Sequence, residues 1–368
     1  MRKSLQLPLI LLILALYITP ATEARVIINN TEIATSTQNM LPLREIIEHI
    51  GGTVAWNNAQ ITIRWGSQVA AITIGSTSAT VNNHPVELAI PPRLIEGRTM
   101  VSLCFLSDHI GLGAGYKNST FILSTTPARR IPILTYHHIL PDDVNIHFQD
   151  NPWTISTEDF EIQMRYLRDN GFYTPTLWEL EAFLYYGRPL PHNSIMIHFD
   201  DGYYSNYVYA YPILQRYGLR AVIFPVTAQA EALDQSQPPI CHDSLTRAAA
   251  ITLTTGTDVF ETASHTHNIH DFIPDTSQSI LTTKSVECIV QDILQSFEFV
   301  SNQRAFAYPF GQFNDTVIEA LQEAGITMAF TVSPGYVTRD TDPFQLNRFT
   351  IYRSTTMARF RQIVNNRA

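Results

Sequence analysis

From Ile131 to the C-terminus, short apolar runs alternate with stretches of helical period. IPILTYHHI (131–139), SIMIHF (194–199) and AVIFPV (221–226) read as buried strands. FETASH (260–265), RAFAYPFG (304–311) and ITMAFTVS (326–333) read as further strands. Between them, FEIQMRYLRDNG, LWELEAFLYYG, YAYPILQRYG, SVECIVQDILQSFEFV and DTVIEALQEAG carry the i, i+3, i+4 spacing of amphipathic helices. Ser156 with Asp159, and Thr176 with Glu179, form capping-box patterns ahead of the first two. Strand and helix in alternation predict an α/β fold of parallel strands with covering helices, either a barrel or a doubly wound sheet. Pattern alone does not choose between them.

The first part of the chain has another texture. NMLPLREIIEHIGGTVAWNNAQITIRWG begins at Asn39, and TMVSLCFLSDHIGLGAGYKNSTFILS begins at Thr99. Leu43/Leu103, His49/His109, Ile50/Ile110, Gly51/Gly111, Trp56/Tyr116 and Asn58/Asn118 align without a gap. Each copy predicts a short helix ended by glycine, then two strands around an asparagine turn. Neither copy can bury a core alone, so residues 26–124 are expected to form one small α+β repeat domain. It resembles the copper amine oxidase N-terminal-like domain, an extracellular module. No metal cluster is legible there; His49 and His109 read as surface or packing residues. A binding or spacer role is expected, with STTPARR, chiefly 125–130, as the linker.

Arg2 and Lys3 precede the apolar LQLPLILLILALYI and a small-residue exit at Thr22-Glu23-Ala24. Residues 1–24 therefore read as a secretory signal peptide, with an uncleaved anchor as the alternative. The protein is expected to be exported and associated with the cell envelope. About 340 residues remain, enough for two domains. The three cysteines, Cys104, Cys241 and Cys288, allow at most one bridge. A net charge of −9 argues against nucleic acid as a partner.

Candidate chemistry begins at SHTHNIHDF, where His265, His267 and His270 fall within six residues of a chain with twelve histidines. Five residues apart, His265 and His270 diverge on a regular helix or strand. They can share a metal only if the chain turns after a strand. The partner is IMIHFDDGYYSN, where a buried strand ends in Asp200, Asp201 and a glycine. Two carboxylates at the C-terminal end of a parallel strand can divide labour, one on a metal and one as a base. One Asp and two His leave a coordination position open.

HFDDG, SHTHNIH and FAYPFG, in this order, resemble the motifs of the polysaccharide deacetylase family, carbohydrate esterase family 4 or NodB homology domain, over residues 131–368. The resemblance implies a distorted (β/α) barrel that removes N-acetyl groups from amino sugars with a divalent metal, usually zinc. It implies Asp200 as general base and Asp201 and His265 as metal ligands. The five-residue step to His270, in place of the common four, resembles the branch acting on poly-N-acetylglucosamine. That branch takes its acid histidine from an early strand, which ILTYHHIL supplies as His137, with His138 beside it. The family's base-orienting arginine is replaced by Ala307, and Arg304 or Arg348 are the candidates to substitute. The resemblance places the oxyanion-binding N–H at Tyr308 and Pro309 in the expected sugar groove; Tyr203 either lines that groove or packs the next helix. A nearby carboxylate is expected to raise the pKa of His137. The implied partner is an N-acetylated polysaccharide: matrix poly-N-acetylglucosamine, peptidoglycan or a chitin-like chain. Two rivals stand beside this reading. One is a glycosidase using Asp200 with Glu261, which leaves the histidines unexplained. The other is a non-catalytic wall-binding protein on the same scaffold.

Overall fold

The computed structural model describes residues 23–36, 39–228 and 258–365. Residues 1–22 of the expected signal peptide and Cys241 lie outside them. Among the described residues no helix is long and apolar enough to cross a membrane. Cys288 is a free thiol.

By compactness the chain forms one unit up to Phe105 that also takes Ser119–Phe121, and a second made of Leu106–Asn118 and everything from Ile122 on. In the first unit, helix Leu43–His49 ends at Gly51, which has φ +82°. Strands Thr53–Asn57 and Gln60–Trp65 follow, turning through Asn58 at φ 56°. They open a five-stranded antiparallel meander that runs to His84–Glu87. The second repeat keeps the plan as helix Phe105–Ile110, Gly111 and strands Gly113–Lys117 and Thr120–Ser124. Its helix, however, is wound as a π-helix.

Part of that second repeat packs with the α/β unit. The Lys117 ammonium donates to Thr174 Oγ1 at 2.9 Å, and Arg220 donates to the Tyr116 carbonyl at 3.0 Å. A Cβ at Gly113 would lie 2.5 Å from the Leu190 carbonyl, so only glycine fits. By compactness Leu106–Asn118 goes with the α/β unit. A chain begun at Ala128 loses these partners and is expected to be less stable than one retaining Leu106–Asn118. The cost is about 1–3 kcal/mol from buried hydrogen-bonding groups alone, read as a lower urea midpoint. Equal midpoints would show that these contacts do not stabilise the α/β unit.

In the α/β unit, strands Phe260–Thr262, Ala221–Pro225, Met196–Asp201 and Ile131–Tyr136 stand side by side, all parallel. Phe349–Thr350 adds a parallel partner to Ile131–Tyr136, and Tyr336–Val337 an antiparallel one. Ala305–Ala307 pairs in parallel with Met328–Phe330. Single bridges join Ser264 to Phe306 and Phe330 to Leu346. Helices Thr157–Asp169, Leu177–Tyr186, Tyr211–Tyr217, Val286–Ser296 and Asp315–Glu323 lie where their periodicity predicts. The last helix, Met357–Asn365, was not read from the sequence. Ser156 Oγ accepts from the Asp159 N–H, and the Thr176–Glu179 box is closed in both directions.

Strand side chains alternate between faces, and two apolar clusters follow that parity. Ile131, Ile133, Met196, Val222, Phe224, Ala305, Ala307, Met328 and Phe330 share one. Leu134, Tyr136, Ile197, Phe199 and Ile223 meet helix residues Phe160, Met164 and Leu167 in the other. This parity decides which motif residues face the chemistry.

Glu261 belongs to the scaffold. Its Oε2 accepts the Leu177 N–H at 2.8 Å, at the start of helix Leu177–Tyr186. Burial pushes its pKa from 4.5 to about 7; the Leu177 N–H and Arg220 oppose this and Glu179 adds to it. The folded state then binds this proton more tightly than the unfolded chain. The stability it contributes is full below pH 4.5 and is lost as pH rises through about 7. At 1.36 kcal/mol per unit the swing is about 3 kcal/mol. Glu261→Gln keeps an acceptor for Leu177 and removes the titration. The variant is expected to exceed the parent in urea midpoint at pH 8 and to match it near pH 4.5. An equal difference at both pH values would refute this.

Candidate active site

Asp200 continues the parity of Met196 and His198, and His137 that of Ile131 and Ile133, so both aim toward the same face. Asp200 is buried, and its two oxygens each accept from Arg348 at 2.7 Å in a bidentate pair. Arg348 is wholly buried and also donates from Nε to the Thr331 carbonyl at 2.7 Å. Burial pushes the Asp200 carboxyl up, but Arg348, helped by His265 and His137, outweighs it and holds the pKa below its ordinary value. Asp200 is thus a carboxylate fixed in direction and kept ionised. Of the two arginines named from the sequence, Arg348 sits on the base. Arg304 pairs instead with Glu181.

Asp201 would point to the opposite side if the strand ran on. It adopts φ 69° and Gly202 adopts φ 74°, so the chain swings away at this point. A Cβ on Gly202 would meet Pro225 at 2.7 Å, which adds close approach to the left-handed backbone as a reason for glycine. Asp201 Oδ1 lies 3.6 Å from His265 Nε2 and 3.4 Å from His270 Nε2, and the two imidazole nitrogens are 3.0 Å apart. Ligand atoms of the three residues all fall within 4.8 Å of one another.

The five-residue step closes because the chain turns. Thr266 has φ 75°, and the carboxylate of Asp292 accepts the N–H groups of both His267 and Asn268 at 2.7 Å. His267 turns off to Thr227 Oγ1 (3.0 Å) and lies over Phe299. His265 Nδ1 is 2.7 Å from the Ala307 carbonyl, which accepts its proton and leaves Nε2 as a bare lone pair toward Asp201 and His270. Two imidazoles and one carboxylate fit a divalent transition metal with an open position. Burial pushes the Asp201 carboxyl up, yet the imidazoles of His265, His137 and His270 around it hold it well below the usual carboxylate range.

His137 and His138 differ sharply. His138 bonds Ser205 Oγ through Nδ1 (3.1 Å) and stacks on Tyr203 with ring centroids 3.6 Å apart. It is a packed core histidine. His137 has a buried Nδ1 without a hydrogen-bond partner and lies in the field of Asp201 and Asp200. The expectation of a raised pKa is corrected: burial lowers it, and the two carboxylates only partly offset that. His137 is therefore neutral at rest near pH 7.

Four further expectations change. The N–H of Tyr308 donates to the Phe330 carbonyl at 3.0 Å, so it is committed to the sheet and cannot meet an oxyanion. Tyr308 has the opposite parity to Ala307, and its ring sits in the core between helices Val286–Ser296 and Asp315–Glu323. Pro309 is buried in the turn and offers little surface for a sugar; Phe310 beside it, with φ 56°, flanks His270 at 4.6 Å. Tyr203, half-buried, spends one face on His138. Glu261 accepts from the Leu177 N–H, so it serves the scaffold and does not pair with Asp200 as a glycosidase would need.

Residues 187–329 match the polysaccharide deacetylase family, and residues 23–124 match the copper amine oxidase N-terminal domain family. The C-terminal part of the chain is a polysaccharide deacetylase domain. It is thereby the domain of a hydrolase acting on amide bonds. A Bacillus subtilis protein provisionally named a polysaccharide deacetylase is 28% identical over 236 residues, covering 62% of this chain and 74% of that one. The poly-β-1,6-N-acetyl-D-glucosamine N-deacetylase of Staphylococcus aureus is 28% identical over 207 residues, covering 54% and 68%. Among solved structures, a de-N-acetylase from Aggregatibacter actinomycetemcomitans aligns with TM-score 0.54 and 24% identity, over 64% of this chain and 99% of that one. That likeness speaks for the fold of the deacetylase domain. Asp292 was not read as part of the site from the sequence. Its signal, an acid on the buried side of an amphipathic helix, was present.

Proposed function

We propose that the protein is an exported, zinc-dependent N-deacetylase of an N-acetylglucosamine polymer. The observation that carries this is the convergence of Asp201, His265 and His270 beside Asp200, itself clamped by Arg348. The five-residue histidine step and the name of the Staphylococcus aureus relative favour matrix poly-N-acetylglucosamine. We read the strands as a distorted (β/α) barrel. The single bridges Ser264–Phe306 and Phe330–Leu346 support this, because they link the short pair Ala305–Ala307/Met328–Phe330 to the larger sheet. The N-terminal domain is proposed to hold the enzyme on wall or matrix.

A divalent ion on Asp201, His265 and His270 would supply Lewis-acid polarisation of the acetamide carbonyl and acidify the attacking water. Asp200, ionised and aimed by Arg348, takes the proton of that water as it adds to the carbonyl carbon. His137 carries a proton to the leaving nitrogen as the C–N bond breaks, giving acetate and a free amine. Since burial keeps His137 neutral at rest, it takes up that proton within the complex, between the two aspartates.

The test is acetate release from N-acetylglucosamine oligomers by the purified protein, before and after chelation and on adding zinc back. Release that stops with chelation and returns with zinc is expected. Bound zinc without acetate release would favour the non-catalytic binding protein instead.

A further inference from the structure

Resting on the deacetylase reading, the surface around the triad indicates how a chain longer than one sugar is held. Trp153 and Phe272 are large aromatic side chains left 45% and 44% exposed. Trp153 is one contact from a group that does chemistry, and Phe272 is two. The Trp153 ring lies 6.2 Å from the His137 ring. Phe272 stacks on Phe310 at 3.7 Å, and Phe310 lies 4.6 Å from His270. Single exposed rings are common on protein surfaces; what sets these two apart is their nearness to His137 and His270.

Both rings ride on braced chain. The N–H of Trp153 donates to Asn151 Oδ1 at 2.8 Å, and the Pro152 carbonyl accepts from Arg353 at 2.8 Å. Phe272 forms an antiparallel bridge with Ser279, and Ile273 donates to the Gln278 carbonyl at 2.9 Å. Their placement follows from the sheet. His137 ends strand Ile131–Tyr136, and His270 follows strand Phe260–Thr262. Strands Met196–Asp201 and Ala221–Pro225 stand between these two. Three strand spacings amount to about 14 Å, with Asp200 and Asp201 delivered from between.

We propose that Trp153 and Phe272 are stacking platforms for the sugar units on either side of the unit being deacetylated. A flat aromatic face meets the C–H face of a pyranose ring and leaves the hydroxyls in water. The occupant is a chain of N-acetylglucosamine, because the acetamide chemistry lies between the two rings. They are positioning residues, and their loss acts on chain binding more than on the chemical step.

The test uses the full-length, metal-loaded protein with β-1,6-linked N-acetylglucosamine dimers and hexamers. Binding is followed by calorimetry, and acetate release gives kcat and KM separately. Trp153→Ala and Phe272→Ala are each expected to raise the hexamer Kd and KM about 3- to 10-fold, with smaller changes for the dimer and in kcat. Trp153→Phe restores most of the hexamer affinity. The double alanine variant loses the preference for the longer chain. Thermal midpoint and metal content accompany each variant, and Trp153→Phe separates stacking from misfolding. Retention of the parent's hexamer-over-dimer preference in the double variant would overturn the proposal. So would acetate release with no length preference in the parent, and the deacetylase reading would then stand alone. Length-dependent binding without acetate release would sink the deacetylase reading and leave the platforms in place.

Discussion

Asp200→Asn is expected to lower turnover about 10²- to 10⁴-fold, the scale of general base catalysis, while the protein keeps its metal. The amide cannot take a proton, yet it nearly preserves shape beside Arg348. The ligand atoms belong to Asp201, His265 and His270, so metal content should hold. Substitution also leaves the fully buried Arg348 short of its counter-charge. Breaking such a pair costs about 3–5 kcal/mol, so turnover is to be measured below the variant's own unfolding midpoint. A variant that retains more than about a tenth of parental kcat, against the general-base scale, would remove Asp200 from the role of base. Loss of metal with loss of turnover would mean that the two adjacent aspartates have been given each other's roles.

The second large effect separates two histidines three residues apart. His270→Ala removes one of three converging ligand atoms and should lose most of the bound metal. His267→Ala should keep it, because that ring is committed to Thr227 and Phe299. The fall for His270→Ala should exceed the 10- to 100-fold cost typical of losing an outer-shell partner. Metal analysis after dialysis against a defined zinc concentration reads both. Metal retained by His270→Ala and lost by His267→Ala would show that the loop closes differently. Asp292→Asn offers an intermediate case, since Asp292 anchors the loop through two N–H groups without touching the triad.

Local rules carried the sequence reading a long way. Strand and helix alternation, two cap patterns and the HFDDG and SHTHNIH motifs placed most elements and all three triad residues. These are features that a few neighbouring residues determine: side-chain period, cap chemistry and a turn at glycine. The same rules also held the means to place Tyr308. Once Ala305–Ala307 is a strand with Ala307 inward, parity turns Tyr308 outward into the helix layer. The resemblance had assigned its N–H an oxyanion role, which the hydrogen bond to the Phe330 carbonyl denies.

By itself the sequence determined which groups are available for chemistry: a buried strand ending in two carboxylates, a turn with two usable histidines, and an early strand ending in His137. The tertiary structure decided which of them meet. Arg348 lies 148 residues from Asp200, and only the packing of the Phe349–Thr350 segment beside Ile131–Tyr136 brings its guanidinium to that carboxylate. The proton affinity of His137 was settled the same way, by a contest between burial and two nearby charges that no local pattern encodes. So was the grouping of Leu106–Asn118 with the α/β unit, where Lys117 and Tyr116 find partners in Thr174 and Arg220. Hydrophobic period and capping act over one or two turns of chain. Desolvation and charge pairing act through space, so they are fixed only when distant segments have closed around the same volume.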